Sequence, residues 1–208
     1  MIAPASPRRG LARRGRPRSE ASRKAILWAA AELLLEHGLN SVSMDAVAER
    51  AGASKATIYR WWPSKELLAL EALFSEWEPE HPTTYDTGSL AGDLLALMRP
   101  WARQLSAKHY GGVIAALVTR AQSDPQFAEE YRVRFVEPRR NPGRTIFRRA
   151  IERDEIPADT DIEAALDLLY GPFYHRILQG HARLTGRFAR TIVDYVVAAV
   201  AASGSGVR

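Results

Sequence analysis

Residues 43–62 read SMDAVAERAGASKATIYRWW, and this stretch decides the fold. Ser43 is placed to cap a helix from Met44 to about Ala51, whose apolar positions Met44, Val47, Ala48 and Ala51 follow helical spacing; Gly52 ends it. After the Gly52, Ala53, Ser54 turn a second short helix runs from Lys55 to Trp62 and is stopped by Pro63. Ser64 caps a further helix that begins at Lys65. Two short helices joined by a three-residue turn opened by glycine form a helix-turn-helix.

Such a pair must bury one side of its second helix and present small polar or basic groups on the other, so that this helix can enter a major groove. Ile58 and Trp62 stand four apart on one face, while Lys55, Thr57, Arg60 and Trp61 lie away from it. Thr57 is small enough for close approach to bases or phosphates. Tyr59 carries a hydroxyl that reaches a phosphate, and Lys55 and Arg60 supply charge. Trp61 has two uses, a DNA contact or packing on the next domain.

N-terminal to the motif, Ile26, Ala30, Leu33, Leu34 and His37 recur on one helical stripe, with Arg23, Lys24, Glu32 and Glu36 off it. This predicts an amphipathic helix capped by Ser19 and closed by Gly38. Residues 1–18 hold six arginines, three prolines, two glycines and no acid, and are expected to be a disordered basic arm. The whole chain has 29 basic and 24 acidic residues; without the six arginines of the arm, 23 basic groups face those 24 acids. All of the excess positive charge therefore sits in the arm. Clustered arginine suits a polyanion, because it releases counterions. Arg14, Gly15, Arg16, Pro17, Arg18 resembles the core of an AT-hook, thin enough to enter a narrow A·T minor groove beside the major-groove helix.

The 208 residues are 46% hydrophobic and 25% charged, the composition of a soluble globular protein. With no cysteine, disulfide frameworks, thiolate zinc sites and cysteine nucleophiles are excluded. The apolar run Ile26 to Leu35 is about half a membrane span and carries Glu32, and residues 1–18 lack the apolar core of a signal peptide, so a cytoplasmic protein with no membrane partner is expected. The five histidines, His37, His81, His109, His175 and His181, show no metal spacing, and no phosphate loop or nucleophile elbow occurs. Asp159, Asp161 and Glu163 lack the remaining ligands of a calcium loop. Neither enzyme activity, metal nor cofactor is expected.

Beyond residue 66 the helical period continues. Leu90, Leu94, Leu97, Met98, Trp101 and Leu105 form one stripe, with a kink expected at Pro100. Gly111 and Gly112 precede a helix from Val113 to about Gln122, and Asp124 and Pro125 open a helical region through Arg153 that Pro138 and Asn141, Pro142, Gly143 should bend or break. Thr160 and Glu163 are spaced as a capping box, and the last helix runs from about Gly186 to Ala202. The expected organisation is all-α: an arm at 1–18, a three-helix DNA-binding domain at 19–66, a larger ligand-binding and dimerisation domain at 67–202 and a tail at 203–208.

The last helix is apolar nearly all round and needs cover on two sides. Leu169, Phe173, Ile192, Val196 and Val200 are the candidate dimer interface, two helices from each copy forming a four-helix contact. Burial of that helix in a monomer core is the alternative. Trp101, Tyr110, Phe127, Tyr131, Phe173 and Tyr174 are candidates for an apolar ligand cavity with polar anchors, or for plain core.

Gly15 to Arg18, Ala25 to Gly38 and SVSMDAVAERAGASKATIYRWWPSKELL, residues 41–68, together resemble the DNA-binding domain of the TetR family of transcriptional regulators, over residues 15 to about 73. The resemblance implies a helix-turn-helix from Ser43 to Trp62, with Lys55, Thr57, Tyr59 and Trp61 on the groove side, Lys65 on a phosphate, and Ile58 and Trp62 holding the small core. The candidate DNA contacts are Arg14, Arg16, Arg18, Ser43, Ser54, Lys55, Thr57, Tyr59, Arg60, Trp61 and Lys65. GPFYHRIL, residues 171–178, and DPQFAEEYRVRFVEPRR, residues 124–140, resemble one subtype of the family's C-terminal domain, with the Asn141, Pro142, Gly143 interruption a departure. The resemblance further implies dimerisation through the last two helices and an inducer. The expected protein is a homodimeric repressor released from a double-stranded DNA operator by a small apolar or amphipathic molecule. A DNA-binding regulator without an inducer and a helical ligand carrier are the alternatives.

Overall fold

A computed structural model describes residues 16–77 and 85–203. Among them are ten α-helices and no strand. α1 (Arg16–His37), α2 (Met44–Ala51) and α3 (Lys55–Trp61) form the N-terminal unit, with α4 (Lys65–Trp77) packed along α1. α5 (Leu90–Leu105), α6 (Tyr110–Ser123), α7 (Pro125–Tyr131), α8 (Glu137–Glu152), α9 (Ile162–Gln179) and α10 (Gly186–Ser203) form the C-terminal unit. α6 and α7 lean on α1 and α4, so the two units share one continuous apolar core.

The punctuation around the helix-turn-helix behaves as its residue types require. Ser43 Oγ accepts from the Ala46 N–H at 3.1 Å, Ser54 Oγ from Thr57 at 3.2 Å, and Ser64 Oγ from Leu67 at 3.2 Å. Gly52 closes α2 in the left-handed region at φ 60°. At the start of the chain the expectation fails. α1 begins at Arg16, three residues before Ser19, because Pro17 falls in the first turn, where its missing N–H costs no hydrogen bond. Arg16 and Arg18 are therefore helical and not part of an extended arm, while Arg14 lies outside the described residues. Ile26, Ala30, Leu33 and Leu34 are buried as the stripe predicts, but His37 at its end is exposed.

In the C-terminal unit α5 runs through Pro100, and its stripe from Leu90 to Leu105 is buried. α6 starts at Tyr110, so Gly111 and Gly112 lie in its first turn instead of before it. A Cβ on Gly111 would stand 2.9 Å from the Leu105 carbonyl, which only glycine tolerates. α7 opens on Asp124, whose carboxylate accepts from the Gln126 and Phe127 N–H groups.

The break expected near Pro138 and Pro142 does not occur. A π turn at Arg132–Val136 joins α7 to α8, and the Glu137 N–H bonds to the Arg132 carbonyl five residues back. Pro138 follows in the first turn of α8, so the wide turn absorbs the missing donor. The helix then continues through Pro142, and a Cβ on Gly143 would come within 2.5 Å of Leu166 Cδ2. That glycine sets the close approach of α8 to α9. The capping box is also revised. Asp161, not Thr160, caps α9 by accepting from Ala164 at 3.0 Å, while Thr160 Oγ1 donates to the Pro157 carbonyl. Glu163 instead accepts from Arg140 and Arg144 of α8.

α10 packs between α5 and α9. Its Ile192, Val196 and Val200, with Leu169 and Phe173 of α9, are buried within the single chain. The five residues expected at a dimer interface are therefore monomer core. The cover on two sides that an apolar α10 needs comes from α5 and α9.

Candidate nucleic-acid interface

α3 is a seven-residue helix whose two faces are sharply distinguished. Ile58 is 0% and Trp62, just past its last turn, 2% exposed, whereas Tyr59 is 50% and Trp61 40% exposed. Lys55 and Arg60 are exposed and Thr57 is half-buried. The outward face thus carries two cations, two hydroxyls and an indole, the groups that contact bases and phosphates. Thr57 is pre-oriented, because its Oγ1 lies 2.8 Å from Ser54 Oγ, which also caps the helix. Lys55 Nζ stands 2.5 Å from Asp45 Oδ1 of α2, an exposed pair that an incoming phosphate can displace at small cost. Ser43 spends its oxygen on the α2 cap, and Lys65 is half-buried at the start of α4.

Behind this face α3 is tied down by ionic contacts that the sequence did not announce. Trp62 Nε1 donates to Glu71 Oε2 of α4 at 2.7 Å. The same carboxylate accepts from Arg23 of α1 and faces Arg134 of the π turn, at 3.6 Å. The Arg23 guanidinium also lies 5.9 Å from the centroid of Trp61 and 6.0 Å from that of Trp62. Glu71 is thus the point where α1, the end of α3 and the C-terminal unit meet. Next to it runs a groove of about 350 Å³ between α3–α4 and α6–α7, bordered by Trp61, Pro63, Arg120, Phe127 and Arg134.

Deeper in the C-terminal unit the aromatic side chains gather around a buried cation. Arg139 of α8 is 4% exposed; its guanidinium lies 3.4 Å from the centroid of Phe135, bonds to the Phe135 carbonyl at 3.3 Å and reaches Tyr110 Oη at 3.5 Å. Tyr170 donates to the Arg139 carbonyl at 2.8 Å. Trp101 packs against Tyr170, Phe173 and Tyr174 with ring centroids 5.1, 5.0 and 5.9 Å away, and Tyr131 stacks on Phe135 at 5.1 Å. Burial lowers the Arg139 pKa and raises those of Tyr131, Tyr170 and Tyr174, so desolvation weakens the charged form of each. Two voids of about 10 and 40 Å³ border Arg139 and Trp101.

Comparison with known proteins places this architecture. A model of bacterial regulatory proteins of the tetR family matches residues 26–72, and a model of the tetracyclin repressor-like C-terminal domain matches residues 84–196. The chain belongs to the TetR family of transcriptional regulators. It is 40% identical over 181 residues to the uncharacterized HTH-type transcriptional regulator YdeS of Bacillus subtilis, covering 87% of this chain and 90% of that protein. It is 32% identical over 183 residues to the DNA-binding transcriptional repressor TetR of Mycobacteroides abscessus, covering 86% and 94%. The solved TetR family transcription regulator SCO0332 superposes with a TM-score of 0.76 at 33% identity, over 86% of this chain and 98% of that one.

This TetR-family chain is accordingly a DNA-binding regulator and not an enzyme. No described helix is long and apolar enough to cross a membrane. Of the six residues expected around a ligand, the fold brings Trp101, Tyr110, Tyr131 and Tyr174 together near Arg139. Phe127 instead borders the groove beside Trp61, and Phe173 packs toward α10, 5.1 Å from Phe188. Arg139 itself escaped the reading of the sequence, although Phe127, Tyr131, Phe135 and Arg139 recur every four residues and a cation in such a stripe is the available signal. On the outer faces of α9 and α10, Leu168 is 56%, Leu178 49% and Tyr195 69% exposed, with Ala164, Gly171 and His175 exposed beside the leucines.

Proposed function

We propose that the protein is a cytoplasmic homodimeric repressor that binds a two-fold operator through α3 and leaves it when a small molecule binds the C-terminal unit. The single observation that carries this reading is the junction at Glu71. Trp62, at the end of the reading helix, and Arg134, in the C-terminal unit, meet on one carboxylate. A rearrangement around the π turn therefore has a short route to the orientation of α3.

In the dimer, the exposed Leu168, Gly171, His175 and Leu178, which follow one face of α9, supply the contact together with the exposed Tyr195 of α10, since large exposed apolar side chains mark an association site. Two copies then hold their α3 helices about one turn of DNA apart, roughly 34–36 Å. Ligand favours a dimer with a different separation, and DNA and ligand oppose each other through one coupling free energy. On the DNA, Lys55, Thr57, Tyr59, Arg60 and Trp61 face the groove, Lys65 and Ser43 face phosphates, Arg16 and Arg18 add charge toward the backbone from the start of α1, and Arg14, ahead of that helix, adds a minor-groove contact.

The test is selection of genomic fragments by the full-length protein, followed by mobility-shift titration and transcription in vitro from the retained promoter. Sequence-specific retention as a dimer, with lowered transcription, is expected. Retention no stronger than that of random competitor DNA overturns the reading.

A further inference from the structure

The polar groups around the two small voids in the C-terminal unit are not neutral in their demands. The larger void is bordered by Trp101, Val136, Arg139, Arg140, Tyr170 and Tyr174, and the smaller adds Leu97 and Met98. No acidic side chain borders either one. Arg140 is already engaged with Glu163 and Asp167 on the outer side of α8. Trp101 is 3% exposed and its Nε1, a donor only, has no hydrogen-bond partner among the described residues. A donor left unsatisfied in a core is costly, and it persists where it serves a partner that arrives later.

From this geometry we infer that the effector is a small organic acid with a planar apolar body, its carboxylate seated between the Arg139 guanidinium and Trp101 Nε1 and its body against Met98, Leu97 and Tyr170. The inference rests on the reading that a small molecule binds this unit, and adds its chemical class. Anion and donors match in sign, and a charged acceptor makes the stronger kind of hydrogen bond. The Trp101 and Tyr170 rings, their planes 80° apart, both border the two voids, and aromatic rings take a flat apolar body by stacking or edge contact. A void of about 40 Å³ takes a carboxylate group, and the body enters by displacing the Arg139 guanidinium from its place over Phe135. Phe135 belongs to the π turn that also carries Arg134, so an acid bound here acts directly on the partner of Glu71.

The experiment titrates the full-length protein calorimetrically with benzoate, salicylate, phenylacetate and octanoate, with benzamide as the uncharged isostere, and follows DNA release in parallel by fluorescence anisotropy. At least one aromatic acid is expected to bind, with benzamide roughly tenfold weaker or worse, as loss of a charge-assisted bond requires. Trp101→Phe keeps the ring and removes the N–H, so the acid should bind about tenfold more weakly to a variant of unchanged melting temperature. Arg139→Lys should retain binding that Arg139→Met loses. Octanoate binding more tightly than every aromatic acid removes the planar body, while benzamide binding as well as benzoate, none of the acids binding, or full affinity in folded Trp101→Phe overturns the site. The two readings fail differently: an acid that binds without releasing DNA leaves this site and defeats the ligand-responsive repressor, whereas release by benzamide does the opposite.

Discussion

The indole N–H of Trp62 donates to Glu71 across 2.7 Å, and this one bond fixes the end of α3 to α4, the helix that leads into the rest of the protein. Trp62 is 2% exposed and its carboxylate partner is shared with Arg23 and Arg134. Part-buried, charge-assisted and shared between three elements, it is worth more than an exposed pair.

Trp62→Ala is expected to cost about 3 to 5 kcal/mol of stability, since it removes a buried indole. Trp62→Phe and Glu71→Gln keep most of the volume and should cost roughly 1 to 3 kcal/mol, with a larger proportional loss of operator affinity. Chemical denaturation beside mobility-shift titration separates the two effects. A Glu71→Gln protein with unchanged operator affinity would show that the junction does not orient α3.

On the opposite face of α3, Thr57→Ala and Tyr59→Phe should weaken operator binding by roughly 1 to 3 kcal/mol and leave the melting temperature nearly unchanged, because both side chains lie outside the core. Equal losses on operator and random DNA would make these phosphate contacts instead of base contacts.

The dimer is probed at two neighbouring positions of α10. Val196 is 3% and Tyr195 69% exposed. A charge at Val196 falls in the monomer core, so Val196→Glu should unfold the chain or cost several kcal/mol. Tyr195→Glu and Leu168→Glu should yield helical monomers with most of their operator affinity lost, because one helix-turn-helix reads a single half-site. Sedimentation velocity together with circular dichroism decides between them, and an intact dimer in both surface variants would place the interface elsewhere.

Glu163 accepts from Arg144 and Arg140, and these bonds hold its carboxyl down to about 2 from the usual 4.5. A depressed folded-state pKa stabilises above the unfolded value and is lost as pH falls through the folded one. The stability advantage of the wild type over Glu163→Gln should therefore be full above pH 4.5 and shrink toward pH 2. Melting curves across that range check it; a constant difference would mean that the side chain acts by packing alone.

The N-terminal unit was legible because its signals are local. Ser43, Gly52, Ser54 and Pro63 act within three or four residues of themselves, and Ile58 and Trp62 can share only one face of so short a helix. The C-terminal unit hides its decisions in long-range packing. α10 is apolar on both the side that meets α5 and the side that meets α9, so its pattern could not say which residues face a partner. Pro138 and Pro142 read as breakers because a five-residue hydrogen bond that accommodates a proline leaves no mark in the spacing of side chains. Arg139 is hidden for a different reason: an arginine is ordinarily assigned to solvent, and only when the ring of Phe135, one turn back, is joined by Tyr110 from α6 does a core place for it form.

The π turn at Arg132–Val136 puts the two halves of a long helical rod out of phase. One residue of α-helix is about 100° of rotation, so the extra residue decides which way every side chain of α8 points relative to α7. Deleting a single residue there would straighten the rod and swing the entire α8 surface round its axis: Arg139 would leave the aromatic core, Gly143 would no longer meet Leu166, and Arg140 and Arg144 would turn away from Glu163. The wide turn works as a phase setting for half the C-terminal unit, and a shift of register within it would alter the core and the surface at one stroke.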